Sequence, residues 1–300
     1  MATTTSYVHT SKSLKEDLTD FITNISPRDT WCLTTFGRTT AKSAVHLFQT
    51  DALASAGANA AAEGAAFSFS ADTGTTRLTN YTQTITKMIS VSDSSNAMDH
   101  AGMKDQLSYQ LQKKGLEWGR DAEYAIIVNA TANIGSAGSA RLSKGLIGWL
   151  ASGTNTATGG TATFTGSTGQ TILDNLLASS WDNGAKPSYI LCSAANNNKL
   201  ATFTANNTRW TAAEDKAVTQ ALTVYRSNFG DLKIVPSTIC GASASTYIFG
   251  LDPSLFKTAW LRPVKTVDSA KVGDSVDKAI IGEFCLESRN EKGNFCITLS

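Results

Sequence analysis

From Thr75 to Ser92 the chain alternates in two interleaved sets. Thr79, Tyr81, Gln83, Ile85, Lys87, Ile89 and Val91 fall on one side, and Leu78, Asn80, Thr82, Thr84, Thr86, Met88 and Ser90 on the other. A period of two predicts a strand over 75–92. In its outer half neither side is apolar. Residues 38–50, RTTAKSAVHLFQT, predict a second strand. Between them lies QTDALASAGANAAAEGAAFSFSADTG, residues 49–74, rich in alanine and glycine and poor in charge. The three pieces predict a long two-stranded arm with a soft tip. A lone hairpin is marginal in water, so this one needs a surface to lie on.

The period then changes to 3.6. Met103, Leu107, Leu111, Trp118, Ala122 and Ala125 follow one face of a helix predicted over 96–130, with Asp99, Ser94 and Ser95 near its start as caps. Such a helix is about 50 Å long, the width of a compact body of this size. Gly115 and Gly119, four apart, leave one side bare for a close backbone approach. Upstream, residues 1–37 read as an arm: a short amphipathic piece (Leu14, Leu18, Phe21, Ile22, Ile25), a break at Ser26-Pro27, then Trp31, Leu33 and Phe36 in an extended segment. These large side chains anchor the arm on a body, its own or a neighbour's. Residues 135–170 read as loop with room for a short hairpin, and only GLIGWL, 145–150, looks packed. An α/β run follows: helix 170–181, buried strand 187–193, helix 194–204, and two strands around Asn228-Phe229-Gly230. Strands at 254–266, 278–289 and 293–300 close the chain. The class is α+β.

Composition narrows the function. The 300 residues carry a net charge of +1, and charged residues make up 17%, against a typical quarter. That excludes a basic nucleic-acid binder, and 41% hydrophobic residues exclude an acidic disordered chain. No signal-peptide core or 18-residue apolar run occurs, so folding in a cytosol, away from a membrane, is expected. The sequons at Asn24, Asn80, Asn129 and Asn206 are chance occurrences in a Thr-rich chain. Cys32, Cys192, Cys240, Cys285 and Cys296 form no Cys-X-X-Cys or Cys/His cluster. They are expected as reduced, buried thiols, with no zinc site. A turn at 291–293 sets Arg289, not Cys285, opposite Cys296.

No catalytic constellation assembles. Asp72-Thr73-Gly74 has the aspartic-protease tripeptide but no second copy, and it sits in the Ala-Gly arm, where a dry pocket is hard to build. His9, His46 and His100 lie far apart in sequence, without a nucleophile elbow or a His-Glu-X-X-His. His46 is a base only with a partner; otherwise it packs or hydrogen-bonds at an interface. Glycines 135, 138 and 145 form no phosphate loop. No enzyme activity, metal or cofactor is expected.

The order of parts, together with NISPRDT, HLFQTDALASAGANAAAEG, TTRLTNYTQTITKMISVS and QLSYQLQKKGLEWGRDAEYA, resembles the tailed-phage major capsid proteins of the Hong Kong 97 type, in a family first catalogued as a domain of unknown function. The resemblance implies an N-arm over 1–37, an E-loop hairpin over 38–92, and a first part of a peripheral domain with the spine helix over 93–165. It implies an axial domain over 166–250 and a second part of the peripheral domain over 251–300. It also implies that the soft tip lies on a neighbouring subunit. Expected inter-subunit contacts are Trp31, Phe36, Arg38, His46, Asp51, Glu63, Arg77, Gly115, Trp118 and Gly119. Implied partners are copies of the chain in pentamers and hexamers, portal, scaffold and decoration proteins, and packaged double-stranded DNA held without sequence specificity. The implied location is the virion, after assembly in the host cytoplasm. Some members of the fold cross-link an E-loop lysine to an asparagine; residues 51–76 contain no lysine, and Lys42 and Lys87 lie only at the base, so no covalent mesh is expected. A nanocompartment shell of the same fold is the near alternative, and a β-rich hydrolase or adhesin the distant one.

Overall fold

The computed structural model describes residues 29–64, 66, 74–98, 105–153, 155–160, 164–203, 224–271 and 273–299. In chain order the elements begin with helix α1 (Trp31–Thr35) and strands β1 (Gly37–Thr40), β2 (Val45–Thr50), β3 (Thr76–Tyr81) and β4 (Gln83–Ser92). Then come α2 (Asp93–Asn96), α3 (Gln106–Val128), β5 (Thr156–Gly159), α4 (Gly166–Asp182), β6 (Tyr189–Cys192) and α5 (Ala194–Leu200). The chain continues with β7 (Val224–Ser227), β8 (Gly230–Pro236), α6 (Thr238–Ser243), β9 (Tyr247–Leu251), β10 (Phe256–Asp268), β11 (Ser275–Ser288) and β12 (Phe295–Leu299).

The described strands form three sheets. One has the order β1-β10-β11-β4, a second β5-β12-β9-β6-β8-β7, and the third is the pair β2-β3 alone. Helix α3 packs on the first sheet. It starts at Asp105, whose carboxylate accepts from the N–H groups of Leu107 and Ser108, an N-cap. Trp118, Ala122 and Ala125 are buried at helical spacing and meet Ile85, Ile89, Ile280 and Phe284. Of the predicted 96–130 helix, the described residues form α3 from Gln106 to Val128, after a separate short α2 that ends at Asn96. With 23 residues, α3 is about 35 Å long. Asp99 lies outside the described residues, and Ser92 caps α2 by accepting from the Ser95 N–H.

A second core joins α4 to the six-stranded sheet through Leu173, Leu177, Ile190, Phe295 and Ile297. The last strand departs from expectation here. β12 is not part of the sheet formed by its neighbour β11; it inserts between β5 and β9. Gly250 on β9 makes room for it, since a Cβ there would stand 2.0 Å from the Phe295 ring. Strands β5 and β9 and helix α6 were not anticipated. GLIGWL is packed as expected: Leu146, Ile147, Trp149 and Leu150 are buried, with a single π-helical turn over Ile147–Ala151.

The arm also differs. β1 runs parallel to β10, from Gly37 opposite Lys257 to Thr40 opposite Trp260. β4 runs antiparallel to β11, from Ser92 opposite Ser275 to Gln83 opposite Phe284. Only β2 and β3 project, paired from Val45–Tyr81 to Thr50–Thr76. The predicted strand 75–92 is broken at Thr82, where the buried parity changes. Asn80 and Thr82 are buried before the break, and Ile85, Ile89 and Val91 after it.

Candidate assembly site

The projecting hairpin ends in a tract, residues 51–64, that is exposed throughout. Leu53 in it is 100% exposed. Small side chains bury too little area to fold the tract onto its own body, and a wholly exposed leucine lacks the cover that apolar surface favours. Asp51 and Glu63 lie in this tract and Arg77 near the start of β3, all exposed. Asp72, Thr73, His9, His100 and the arm up to residue 28 lie outside the described residues.

The root of the hairpin is polar and buried. Asn80, fully buried, donates through Nδ2 to Ser143 Oγ at 3.2 Å, the Lys144 carbonyl at 3.1 Å and the Leu286 carbonyl at 2.6 Å. Its Oδ1 accepts from the N–H groups of Tyr81 at 2.9 Å and Lys144 at 2.8 Å. The Thr82 hydroxyl donates to Glu283 Oε1 at 2.7 Å. Glu283 also binds Arg141 Nη2 at 2.7 Å and Arg262 Nε at 2.8 Å. Burial would raise the Glu283 carboxyl, but Thr82, Arg262 and Arg141 outweigh it and hold it below the ordinary range. On β2, His46 Nε2 lies 3.1 Å from Glu287 Oε2, and Arg289 Nε lies 2.8 Å from Oε1. The His46 hydrogen bond is the main reason that Glu287 also lies low; burial opposes it and Arg289 assists.

Asn80, Thr82, Arg141, Glu283 and Glu287 escaped the sequence reading. Their signal was a polar side chain on an otherwise buried parity: Asn80 on the side of Leu78, and Glu283 and Glu287 in the apolar run IIGEFCLES.

Both glutamates have folded values below 4.5. Their contribution to stability is thus complete above the ordinary carboxylate range and is lost as pH falls through the folded values. Glu123 has the opposite sign. Burial raises it, although its two oxygens accept from the N–H groups of Cys32 and Leu33 at 2.7 and 2.8 Å. Acid below 4.5 is expected to lower the melting temperature, and Glu287→Gln to make that decline shallower. Parallel melting curves against pH for variant and wild type would contradict the assignment.

Several expected contacts are made inside the chain. Trp31 lies 5.0 Å from the Tyr189 ring, and Phe36, 3% exposed, stacks on Phe256 at 5.1 Å. They sit in and beside α1, not in an extended segment, and they anchor it on its own body. Trp118 is 4% exposed and donates to the Ile85 carbonyl at 3.0 Å; it is core. His46 engages Glu287 of its own chain. Arg38 is exposed, its guanidinium 5.7 Å from the Trp260 ring centroid.

Among the described residues no backbone outside the helix approaches the two helix glycines. A Cβ at Gly119 would meet Thr30 Cγ2 at 3.6 Å, and at Gly115 would meet nothing within 4 Å. Gly115→Ala is accordingly expected to stabilise the isolated chain by about 1 kcal/mol, read from urea unfolding. A loss of stability would place a neighbour against that position within the chain. Of the expected contacts, Arg38, Asp51, Glu63 and Arg77 are exposed.

An open cleft of about 490 Å³ between α3 and α6 is lined by Lys87, Glu117, Arg120, Asp121 and Tyr124, among others. Its charges are largely paired, Lys87 with Asp121 at 2.6 Å and Glu117 with Lys114 at 2.7 Å. Among the described residues no three His, Cys, Asp or Glu side chains are grouped to hold a metal. All five cysteines are free and buried; burial pushes Cys192, Cys240, Cys285 and Cys296 up to about 12. No described helix is long and apolar enough to cross a membrane.

A sheet backed by one long helix, a second α/β unit and a hairpin projecting from a polar root make up the Hong Kong 97-type fold. A solved chain from Microbacterium phage Oxtober96 superposes with a TM-score of 0.69 at 13% identity, covering 96% of each chain. The SrpI encapsulin of Synechococcus elongatus PCC 7942 superposes with a TM-score of 0.57 at 11% identity, over 99% of this chain and 96% of that one. At such identities the likeness is one of fold. The chain belongs to the SU10 major capsid protein family, which it matches over residues 1–299. The major capsid protein of Escherichia phage Phieco32 is 35% identical over 123 residues, 41% of this chain and 34% of that protein's length. The family is structural and viral, which disfavours the hydrolase, adhesin and nanocompartment alternatives.

Proposed function

We propose that this chain is the major capsid protein of a tailed-phage head and that it self-assembles into the icosahedral shell around double-stranded DNA. The observation that carries this reading is the match to a capsid family along the chain. The bare tract at the end of β2–β3 supports it, because it fits a contact between copies. Head-to-tail contacts close into rings when the rotation permits, which gives pentamers and hexamers. A net charge of +1 suits a wall that must enclose DNA without gripping it in a sequence-dependent way. Portal, scaffold and decoration proteins are the further partners, and assembly takes place in the host cytoplasm. Lys87 pairs with Asp121 on the side of β4 that faces α3. Sedimentation of the purified chain at rising concentration, with electron microscopy of the fast fraction, tests the reading. Shells, tubes or five- and six-fold rings are expected. A compact monomer at every concentration would contradict it.

A further inference from the structure

The hairpin root is more elaborate than adhesion requires. Its hydrogen bonds converge from the β3–β4 break, residues 141–144, β10 and β11. An apolar contact at this point would hold β2–β3 against the body equally well and would let it slide, because apolar attraction has no direction. Hydrogen bonds weaken steeply away from their geometry. The fully buried Asn80 amide shares its two N–H groups and its oxygen among five partners, so one orientation of the β3 backbone satisfies it. Thr82 fixes the next step of the chain from both ends. Its N–H donates to the Ala44 carbonyl at 2.9 Å, just before β2, and its hydroxyl to Glu283.

The hairpin turns any error at the root into displacement. Six residues in β2 span about 20 Å. A tilt of about 10° moves its far end by about 3–4 Å at that length. Apolar contact is lost over about 1 Å of separation, so such a tilt takes the tract off a fixed neighbouring surface.

We propose that Asn80, Thr82 and Glu283 are positioning residues that set the angle at which the hairpin leaves the body, and that this angle sets the curvature and diameter of the assembled shell. The second half rests on the shell reading above; the first half does not. Buried polar networks of this kind specify one arrangement more than they add stability.

The test uses Thr82→Val, which keeps the shape and removes the hydroxyl, Thr82→Ser, which keeps the hydroxyl, and Glu283→Gln, which removes the charge. Two readouts are taken. Spin labels on Gln49→Cys and Ser90→Cys, both exposed, report the hairpin-to-body distance in the unassembled chain; the native thiols are buried. Electron microscopy reports particle diameter. Wild type and Thr82→Ser are expected to give one narrow distance and one diameter. Thr82→Val and Glu283→Gln are expected to spread the distance by about 3–4 Å, the lever-arm displacement, and to give mixed diameters or unclosed shells with unchanged circular dichroism. Wild-type distances and a single wild-type diameter in both variants would overturn the proposal. So would unfolding of both, which would make the joint merely structural. If wild type forms no particles, the shell reading fails, and the distance readout alone decides whether the joint sets the angle.

Discussion

Deleting residues 54–62 is expected to leave the body folded and to abolish closed shells. The tract contributes no buried side chain to either core. Shortening the connection between Thr50 and Thr76 changes the closure entropy by less than about 1 kcal/mol. Circular dichroism and melting of the unassembled chain should therefore match wild type. The lost area lies between copies, where a contact of even several hundred Å² on each partner is a sizeable share of a specific interface and recurs with every subunit. Sedimenting particles should disappear. Loss of the fold would mean that the tract packs on its own chain, and normal particles would mean that it is a passive loop.

Trp118→Ala is expected to act at the opposite level. The indole sits between Trp260 at 6.1 Å and Phe284 at 6.3 Å. It also fills the space left by Gly282, where a Cβ would stand 2.5 Å from Trp118 Cζ2. Removing it opens a cavity between α3 and the β10/β11 pair and leaves the Ile85 carbonyl without its donor. The cost is about 3–5 kcal/mol, a large part of the stability of an ordinary domain. Urea unfolding of the unassembled variant should show that loss. A change under about 1 kcal/mol, within the range of surface substitutions, joined to failed assembly, would return Trp118 to the inter-subunit contacts.

The difference between these two variants shows what the sequence disclosed. The bare tract was legible because composition alone decides it: alanine and glycine cannot cover themselves. Helix α3 was legible from its stripe, but its start was set too early, because Asp105 binding the Leu107 and Ser108 N–H groups is a local signal that a longer apolar period masks. The strand 75–92 reads as one piece because strand-forming residues run unbroken through Thr82, although the buried side switches there. The apolar half, Ile85, Ile89 and Val91, was the body and the polar half was the arm. Trp31 and Phe36 are open in the sequence between their own body and a neighbour's, and Trp118 fits both the apolar stripe and an inter-subunit contact, since a large side chain next to polar sequence does not reveal which surface it meets. Strand β12 crosses to the second sheet, where it pairs with β5 and β9; those partners are distant in sequence, and the space that Gly250 leaves for Phe295 is not recorded in β12 itself. The joint at Asn80 and Glu283 joins residues some 200 positions apart, Thr82 to Glu283 among them, and no local period records such a pairing.

The proposed shell requires the exposed tract at the end of β2–β3 to complete its packing on another copy of the chain. A reconstruction of assembled particles by electron cryo-microscopy tests it most directly, by tracing residues 51–64. The account predicts ordered density for the tract on an adjacent subunit, with Leu53 covered and the β2–β3 root unchanged. A tract folded back on its own body, or projecting into solvent from a closed shell, would contradict it.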